Sequence, residues 1–359
     1  MRGHDISQTS LFITKTVASF VPAGHPLIAM RKLVDEALKD LDGLFNTIYA
    51  RAGRESIPPE RLIRASLLQI LFSIRSERQL VEHLQYNMLY RWFVGLEIDD
   101  TVWNHSTFSK NRERLLDNDI FTHFFDSVLA MASKRKLLSD EHFSVDGTLV
   151  DAWASHSSFR RRDGSDDDKP GGGKDFHGEK RSNETHVSQT DPDAQFMKKS
   201  AGVASRPSYG VDALMENRHG MVVGVGMRPA ATVSERDGAI DLLAEQSGSQ
   251  RKTLGCDKGY DTRDFIDACR ALNFTPHVAM NTARRGGSAI DRRTVRHPGY
   301  YTSIICRRKI ESVFGWAKEY GGLRRMKYRG KKSVSGFVNM LMAAFNLLRM
   351  RNIEAMAGI

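Results

Sequence analysis

The sequence has little cysteine, no histidine pattern and no long apolar run, and each shortage excludes something. Three cysteines, Cys256, Cys269 and Cys306, form no CxxC pair and leave one over. That argues against a disulfide scaffold or a cysteine zinc site, and for a reducing compartment. The 12 histidines are scattered, with no HExxH, which disfavours a zinc hydrolase. The longest apolar stretch, Phe337–Met350, is too short for a bilayer and is interrupted by Asn339, Asn346 and Arg349. Met1 to Asp5 do not lead into a signal-peptide core. No membrane partner and no secretion are expected, and the expected location is the cytoplasm. No long internal repeat is visible.

What is present is positive charge. Lys and Arg number 53 against 43 Asp and Glu, a net +10 with a pI near 9.5. Such a balance suits a partner that is a polyanion, most often nucleic acid. Apolar residues at 40% and charged residues at 27% mark a globular chain, and 359 residues suggest two or three domains.

The chain divides by pattern. Residues 1–135 read as an all-helical domain. Pro26 opens a helix with Leu27, Met30, Leu33, Val34, Ala37 and Leu38 at helical spacing, and Pro58-Pro59 opens another. Ser76-x-x-Gln79 reads as a capping box. Ser106 is a candidate cap for a helix carrying Lys110, Arg112 and Arg114, and Asp117–Ala132 is amphipathic. Residues 136–351 read as an α/β domain: a strand at His142–Val150, then a polar insertion at about 155–207, then a hairpin, Ser208–Met215 and Met221–Met227. After it helices and strands alternate: helix Asp237–Gln246, strand Lys252–Asp257, helix Thr262–Leu272, strand Thr275–Ala279. Helices at Ser303–Tyr320 and Ser335–Arg351 follow. The expected fold class is α/β, a mixed sheet flanked by helices and preceded by the helical domain.

Three acids are candidates for chemistry. Asp146 and Asp257 each end an apolar strand next to glycine, where an α/β sheet presents groups to a crevice. The plain alternative for each is a turn or helix cap. Glu311 shares a helical face with Arg307 at i−4 and Lys318 at i+7. Between Arg284 and Lys332 there are 15 Lys and Arg against three acids, one of them Glu311. Three carboxylates on separate elements suit two Mg²⁺ ions, which favour oxygen ligands. Tyr300, Tyr301, Trp316, Tyr320 and Tyr328 interleave with the cations, as stacking platforms for bases or as core residues. Arg324, Arg325, Lys327 and Arg329, with Lys331 and Lys332, follow Gly321-Gly322 as a loop suited to tracking a phosphate backbone. Asp151 and Asp261 are rival acids. Asp151 points to the other face of a continuing strand, and Asp261 is placed to cap the next helix.

The spacing Arg307-x3-Glu311-x6-Lys318 resembles the signature of bacterial insertion-sequence DDE transposases. Val145–Thr148 and Asp257–Asp261 resemble the elements around the family's two aspartates. Arg75–Leu80 and His105–Ser109 are similar to segments of its helical N-terminal domain. The resemblance runs from about Val21 to Arg349. One position departs: Ile304 stands where the fuller signature has tyrosine, with Tyr300 and Tyr301 just upstream. The resemblance implies a ribonuclease-H-like core on which Asp146, Asp257 and Glu311 are catalytic and bind two Mg²⁺, with Mn²⁺ as a substitute. Arg307 and Lys318 then hold DNA near the element end. Apart from the resemblance, Lys110, Arg112 and Arg114 lie near a helix start, as candidates for a groove or as a solvated helix face. The implied reaction is cleavage at the ends of an insertion sequence and joining of the freed 3′-OH to target DNA. Paired ends imply a homodimer or higher oligomer, bound to DNA in the nucleoid. A non-catalytic DNA-binding regulator is the alternative from another class. A ribonuclease-H-like nuclease without strand transfer shares the three acids.

Overall fold

The structure, a computed structural model, describes residues 14–49, 55–163, 182–198, 202–231, 233–283 and 285–358. The Asp166–Asp168 and Gly171–Gly173 runs of the insertion lie outside them.

Seven helices come first: α1 (Pro26–Lys39), α2 (Asp42–Ile48), α3 (Pro59–Leu71), α4 (Glu77–Tyr86), α5 (Met88–Val94), α6 (His105–Asp117) and α7 (Ile120–Lys134). Pro26 and Pro59 occupy first-turn positions, where a missing N–H costs no hydrogen bond. Two caps differ from expectation. Asn104, not Ser106, caps α6, because its Oδ1 accepts from the Ser106 amide at 2.9 Å. Ser76 accepts from the Gln79 amide, but Gln79 Oε1 returns to the amide of Arg75 rather than of Ser76.

Strands follow: β1 (His142–Asp151), β2 (Phe159–Arg161), β3 (His186–Ser188), β4 (Gln195–Met197), β5 (Arg206–Glu216) and β6 (Val222–Pro229). Then come α8 (Glu235–Glu245), β7 (Lys252–Cys256), α9 (Arg263–Ala271), β8 (Phe274–Val278), α10 (Arg292–Arg296), α11 (Pro298–Cys306), α12 (Arg308–Glu319) and α13 (Lys331–Ala357). The helix expected over Ser303–Tyr320 is thus two. The ladder breaks at Arg307, to whose carbonyl Ile310 donates three residues on. The insertion is not a plain loop, since β2 and β3 pair with each other and β4 pairs with β5.

The main sheet is mixed and flanked by helices, as expected. β1 is antiparallel to β5 and parallel to β7, β5 carries β6 on its far side, and β8 extends β7 in parallel. Phe143, Val145, Leu214 and Leu254 pack on Leu242 and Leu243 of α8 and Phe265 and Ile266 of α9. Val211, Ala213 and Met215 belong to a second core with α12, α13 and the N-terminal helices.

Helix α13 joins these layers, packing on α7, α6, α3 and α1 and also on β6. Its polar interruptions are the joints. Asn346, fully buried, accepts from the Val222 amide at 2.9 Å and donates to the Val222 carbonyl at 2.8 Å. Arg349 Nε donates to the His219 carbonyl. No helix among the described residues is long and apolar enough to cross a membrane.

The run Thr190-Asp191-Pro192-Asp193 holds the start of α13. Asp191 Oδ1 accepts from the Gly330 amide at 3.0 Å and from the Tyr209 hydroxyl, and Asp193 accepts from the Lys331 amide at 2.7 Å. Carboxylates at a helix N-terminus satisfy its orphan amides and its dipole. Asp261 does not cap α9. It is buried, and its carboxylate accepts from the amides of Asn281 and Ala289, pinning the loop between them.

Two stability measurements test these joints. Asn346→Leu strands both backbone groups of Val222, and urea unfolding is expected to show a loss on the order of 3 kcal/mol. His277 on β8 is buried, with Nδ1 2.7 Å from Ser303 Oγ. Burial, reinforced by His297 and His142, lowers its pKa from 6.5 to about 4. The unfolded chain therefore binds the extra proton first as pH falls below 6.5, and stability drops between there and about 4. His277→Asn is expected to flatten that part of the stability–pH curve.

Candidate active site

The site forms where β1 and β7 run on beyond their pairing. The last rungs are His142 with Thr253, Phe143 with Leu254 and Ser144 with Gly255. Two residues further along each strand stand Asp146 and Asp257. Parallel neighbours are about 4.8 Å apart and alternate residues share a face, so the two aspartates come side by side.

Gly255 lets helices approach this spot. A Cβ there would lie 3.1 Å from the Ser303 carbonyl oxygen and 3.2 Å from Arg307 Cβ. Arg307, at the break before α12, donates to Glu311 Oε1 at 3.3 Å. The Arg307 side chain is 20% exposed and the Glu311 side chain 56%. Arg307 Nε is buried without an acceptor among the described residues. Two turns after Glu311, Lys318 Nζ donates to Thr148 Oγ1, two residues past Asp146 on β1. The helix face read from sequence, Arg307-Glu311-Lys318, is thus laid over the strand that carries Asp146.

The electrostatics are those of crowded acids. The Asp146 carboxyl is pushed up to about 6, first by burial and then by the charge of Glu235. The Gly147 N–H opposes the rise, Asp257 adds to it, and Arg307 opposes it. Like charges held together raise carboxyl pKa values. Asp212, on β5 opposite Gly147, rises to about 7, first by burial, with its Arg228 partner opposing. Asp257 also performs the plain task, because its Oδ1 accepts from the Gly259 amide and caps the turn.

Glu235 is the acid that sequence reading missed. Its Oε1 accepts from the Gly147 amide at 3.1 Å and from the Tyr260 hydroxyl at 2.8 Å. The available signal was Ser234-x-x-Asp237, a reciprocal capping box that starts α8 at Glu235 instead of Asp237.

Among the described residues no three Asp, Glu, His or Cys side chains already stand close enough to hold a metal ion. The donors nevertheless fit one. Asp146, Asp257 and Glu311 offer only hard oxygens, and the charges of Glu235 and Asp257 act on the partly buried Asp146 with Arg307 opposing them.

The other predicted cations divide. Lys110, Arg324, Arg325 and Arg329 are exposed. Arg324 pairs with Glu319 at 2.9 Å, and Arg325 lies 5.5 Å over the ring of Trp153, which is 43% exposed. Lys327 is exposed as well, but its Nζ donates to the Arg75 carbonyl, and desolvation there lowers its pKa. Arg112 is a correction: it is buried, pairs with Glu77 and stacks 4.9 Å over Tyr328, so it does not face a groove. Its position on α6 turns it inward toward α4. The aromatics divide as well. Tyr300 is buried, and Trp316 and Tyr328 pack on Phe345 and Phe337, while Tyr301 and Tyr320 are exposed.

Comparison with known families agrees with this architecture. Residues 15–114 match the model of a Transposase domain (DUF772), and residues 139–347 match that of the Transposase DDE domain. The second match covers more than half of the sequence. The chain belongs to the DDE transposase family. DDE transposases generally use divalent metal ions. Among solved structures, this transposase is similar to the piggyBac transposase synaptic complex with hairpin DNA. That match has 9% identity and a TM-score of 0.43 over 91% of this chain and 75% of that one. A further match is the Mos1 transposase paired-end complex with left transposon end, at 13% identity and TM-score 0.20 over 88% and 87%. A comparison with curated proteins finds no match.

The contrast between buried and exposed cations is testable. Arg112→Ala is expected to cost this transposase on the order of 3 kcal/mol, because it leaves Glu77 unpaired and half-buried. Lys110→Ala is expected to leave stability unchanged. Thermal unfolding of the two variants side by side checks both.

Proposed function

We propose that this transposase cuts DNA at the ends of an insertion sequence and joins the freed 3′-OH to target DNA, with Asp146, Asp257 and Glu311 as its metal ligands. The observation that supports the reading is the course of β1 and β7, paired in parallel as far as Ser144 and Gly255, two residues short of Asp146 and Asp257, with α12, the helix of Glu311, packed on β1. Two divalent ions, Mg²⁺ or Mn²⁺, would supply activation of the attacking oxygen and stabilisation of the leaving one.

The chain's own residues do the positioning. Asp146 and Asp257 offer paired carboxylates from adjacent strands. Arg307 pairs with Glu311, and its buried Nε, without an acceptor among the described residues, is available to a phosphate oxygen. Lys318, anchored on Thr148, brings a second cation to the same cleft. Arg324, Arg325 and Arg329, exposed on the loop before α13, extend the positive surface along a DNA backbone. Lys110 adds charge on the helical side, and Lys327 belongs to this surface chiefly as a tether of its loop. The helical domain, residues 1–135, serves end recognition and pairing of protomers, while residues 136–351 carry catalysis. Two ends cut together call for at least a homodimer.

The test is a Mg²⁺-dependent assay on labelled DNA carrying the element ends. Asp146→Asn, Asp257→Asn and Glu311→Gln are each expected to lower cleavage by about 1,000-fold or more while end binding in a mobility-shift assay changes little. Full cleavage by any of the three variants would remove that residue from the site. Cleavage without joining to a second duplex would mark a nuclease, and binding without any cleavage a regulator.

A further inference from the structure

The β1–β7 ladder stops short of Asp146 and Asp257. Their strands pair only as far as Ser144 and Gly255, and both aspartates stand beyond that rung. Something else has to hold two mutually repelling carboxylates in place.

Glu235 is built for that task. One oxygen, Oε1, accepts from the Gly147 amide, adjacent to Asp146, and from the Tyr260 hydroxyl, in the turn that Asp257 caps. Both ends of this bridge are rigid. Gly147 lies inside β1, and the Tyr260 ring is 2% exposed and packs 5.0 Å from Phe265. The bridge itself is anchored by the Ser234–Asp237 capping box at the first turn of α8. The next residue reinforces it, since Arg236 donates to the Gly259 carbonyl at 3.2 Å and ties α8 to the same turn. Gly147 is required for the approach. A Cβ there would fall 2.6 Å from Glu235 Cγ.

We propose that Glu235 is a positioning residue that sets the spacing of Asp146 and Asp257 by bridging the Gly147 amide and the Tyr260 hydroxyl. The proposal rests on the reading of those aspartates as ligands. It makes a chemical distinction: the bridge needs an acceptor oxygen and not a negative charge. Glutamine keeps that oxygen and alanine removes it.

The experiment compares the full chain with Glu235→Ala, Glu235→Gln and Tyr260→Phe, with Asp146→Asn as a control. Hydrogen exchange is followed by mass spectrometry without DNA or metal, and cleavage of labelled end DNA is measured at saturating Mg²⁺. Glu235→Ala is expected to speed exchange in the peptides containing Gly147 and Tyr260. It is expected to slow cleavage about 30-fold, the range for losing an outer partner of a ligand, with end binding unchanged. Glu235→Gln is expected to restore protection and most of the cleavage, and Tyr260→Phe to fall between. Wild-type exchange in Glu235→Ala overturns the proposal. So does a Glu235→Gln protein with wild-type exchange but cleavage as slow as Glu235→Ala, which would make Glu235 a direct holder of a cation. Full cleavage by Asp146→Asn would instead defeat the ligand reading, and the exchange measurements judge the bridge separately from that result.

Discussion

The structure depends on one constraint: β1 is paired on both sides, antiparallel to β5 and parallel to β7. The antiparallel ladder runs from Phe143–Glu216 to Asp151–Ser208 and holds the whole length of the strand. The parallel ladder is short and releases β1 and β7 at Ser144 and Gly255. Because side chains alternate along a strand, a slip of one residue would turn Asp146 to the opposite face. Long pairing on one side and early release on the other therefore place a carboxylate in a crevice without freeing the backbone that carries it.

The second requirement is that the helices stay seated on this sheet. Helix α13 does that, sharing one core with the N-terminal helices and with β6. Its buried Asn346 completes the hydrogen bonding of Val222 from the side. Asp191 and Asp193 clasp its first turn, and they belong to the polar stretch between β1 and β5. A buried carboxylate is costly unless it is bonded. Here the Gly330 amide and the Tyr209 hydroxyl both reach Oδ1 of the buried Asp191, whose Oδ2 has no partner among the described residues, and the exposed Asp193 takes the Lys331 amide.

Charge is sorted in the same way. Arg112 and Arg91 are turned inward, where Arg112 meets Glu77 and the Tyr328 ring and Arg91 meets backbone carbonyls, while Arg112 Nε has no acceptor among the described residues. Arg324, Arg325 and Arg329 stay outside. The acids show the opposite excess: Asp146, Asp257, Asp212 and Glu235 gather about the middle of β1 and the end of β7, with Arg228, Arg307 and Lys318 near them. Burial raises the Asp146 and Asp212 pKa values first, and the neighbouring carboxylates add to the rise.

By itself the sequence determined the order of elements, because periodicity and caps are local: the hairpin at Asn217–Gly220, the alternating helices and strands after it, and the helix face shared by Arg307, Glu311 and Lys318. The candidacy of Asp146 and Asp257 was legible for the same reason, since an apolar run leading to Asp-Gly or Asp-Lys-Gly reads locally, although β1 does not end at Asp146 but runs on to Asp151. Tertiary structure alone decided what depends on distant partners. Nothing near Arg112 announces Glu77 and Tyr328, so its burial was invisible, as was the tethering of a loop by Asp261. Glu235 was hidden because its partners, Gly147 and Tyr260, are remote in the chain and meet it only after the sheet closes. Local interactions select the elements, whereas long-range pairing selects which charges face one another, and a single residue's surroundings belong to the second.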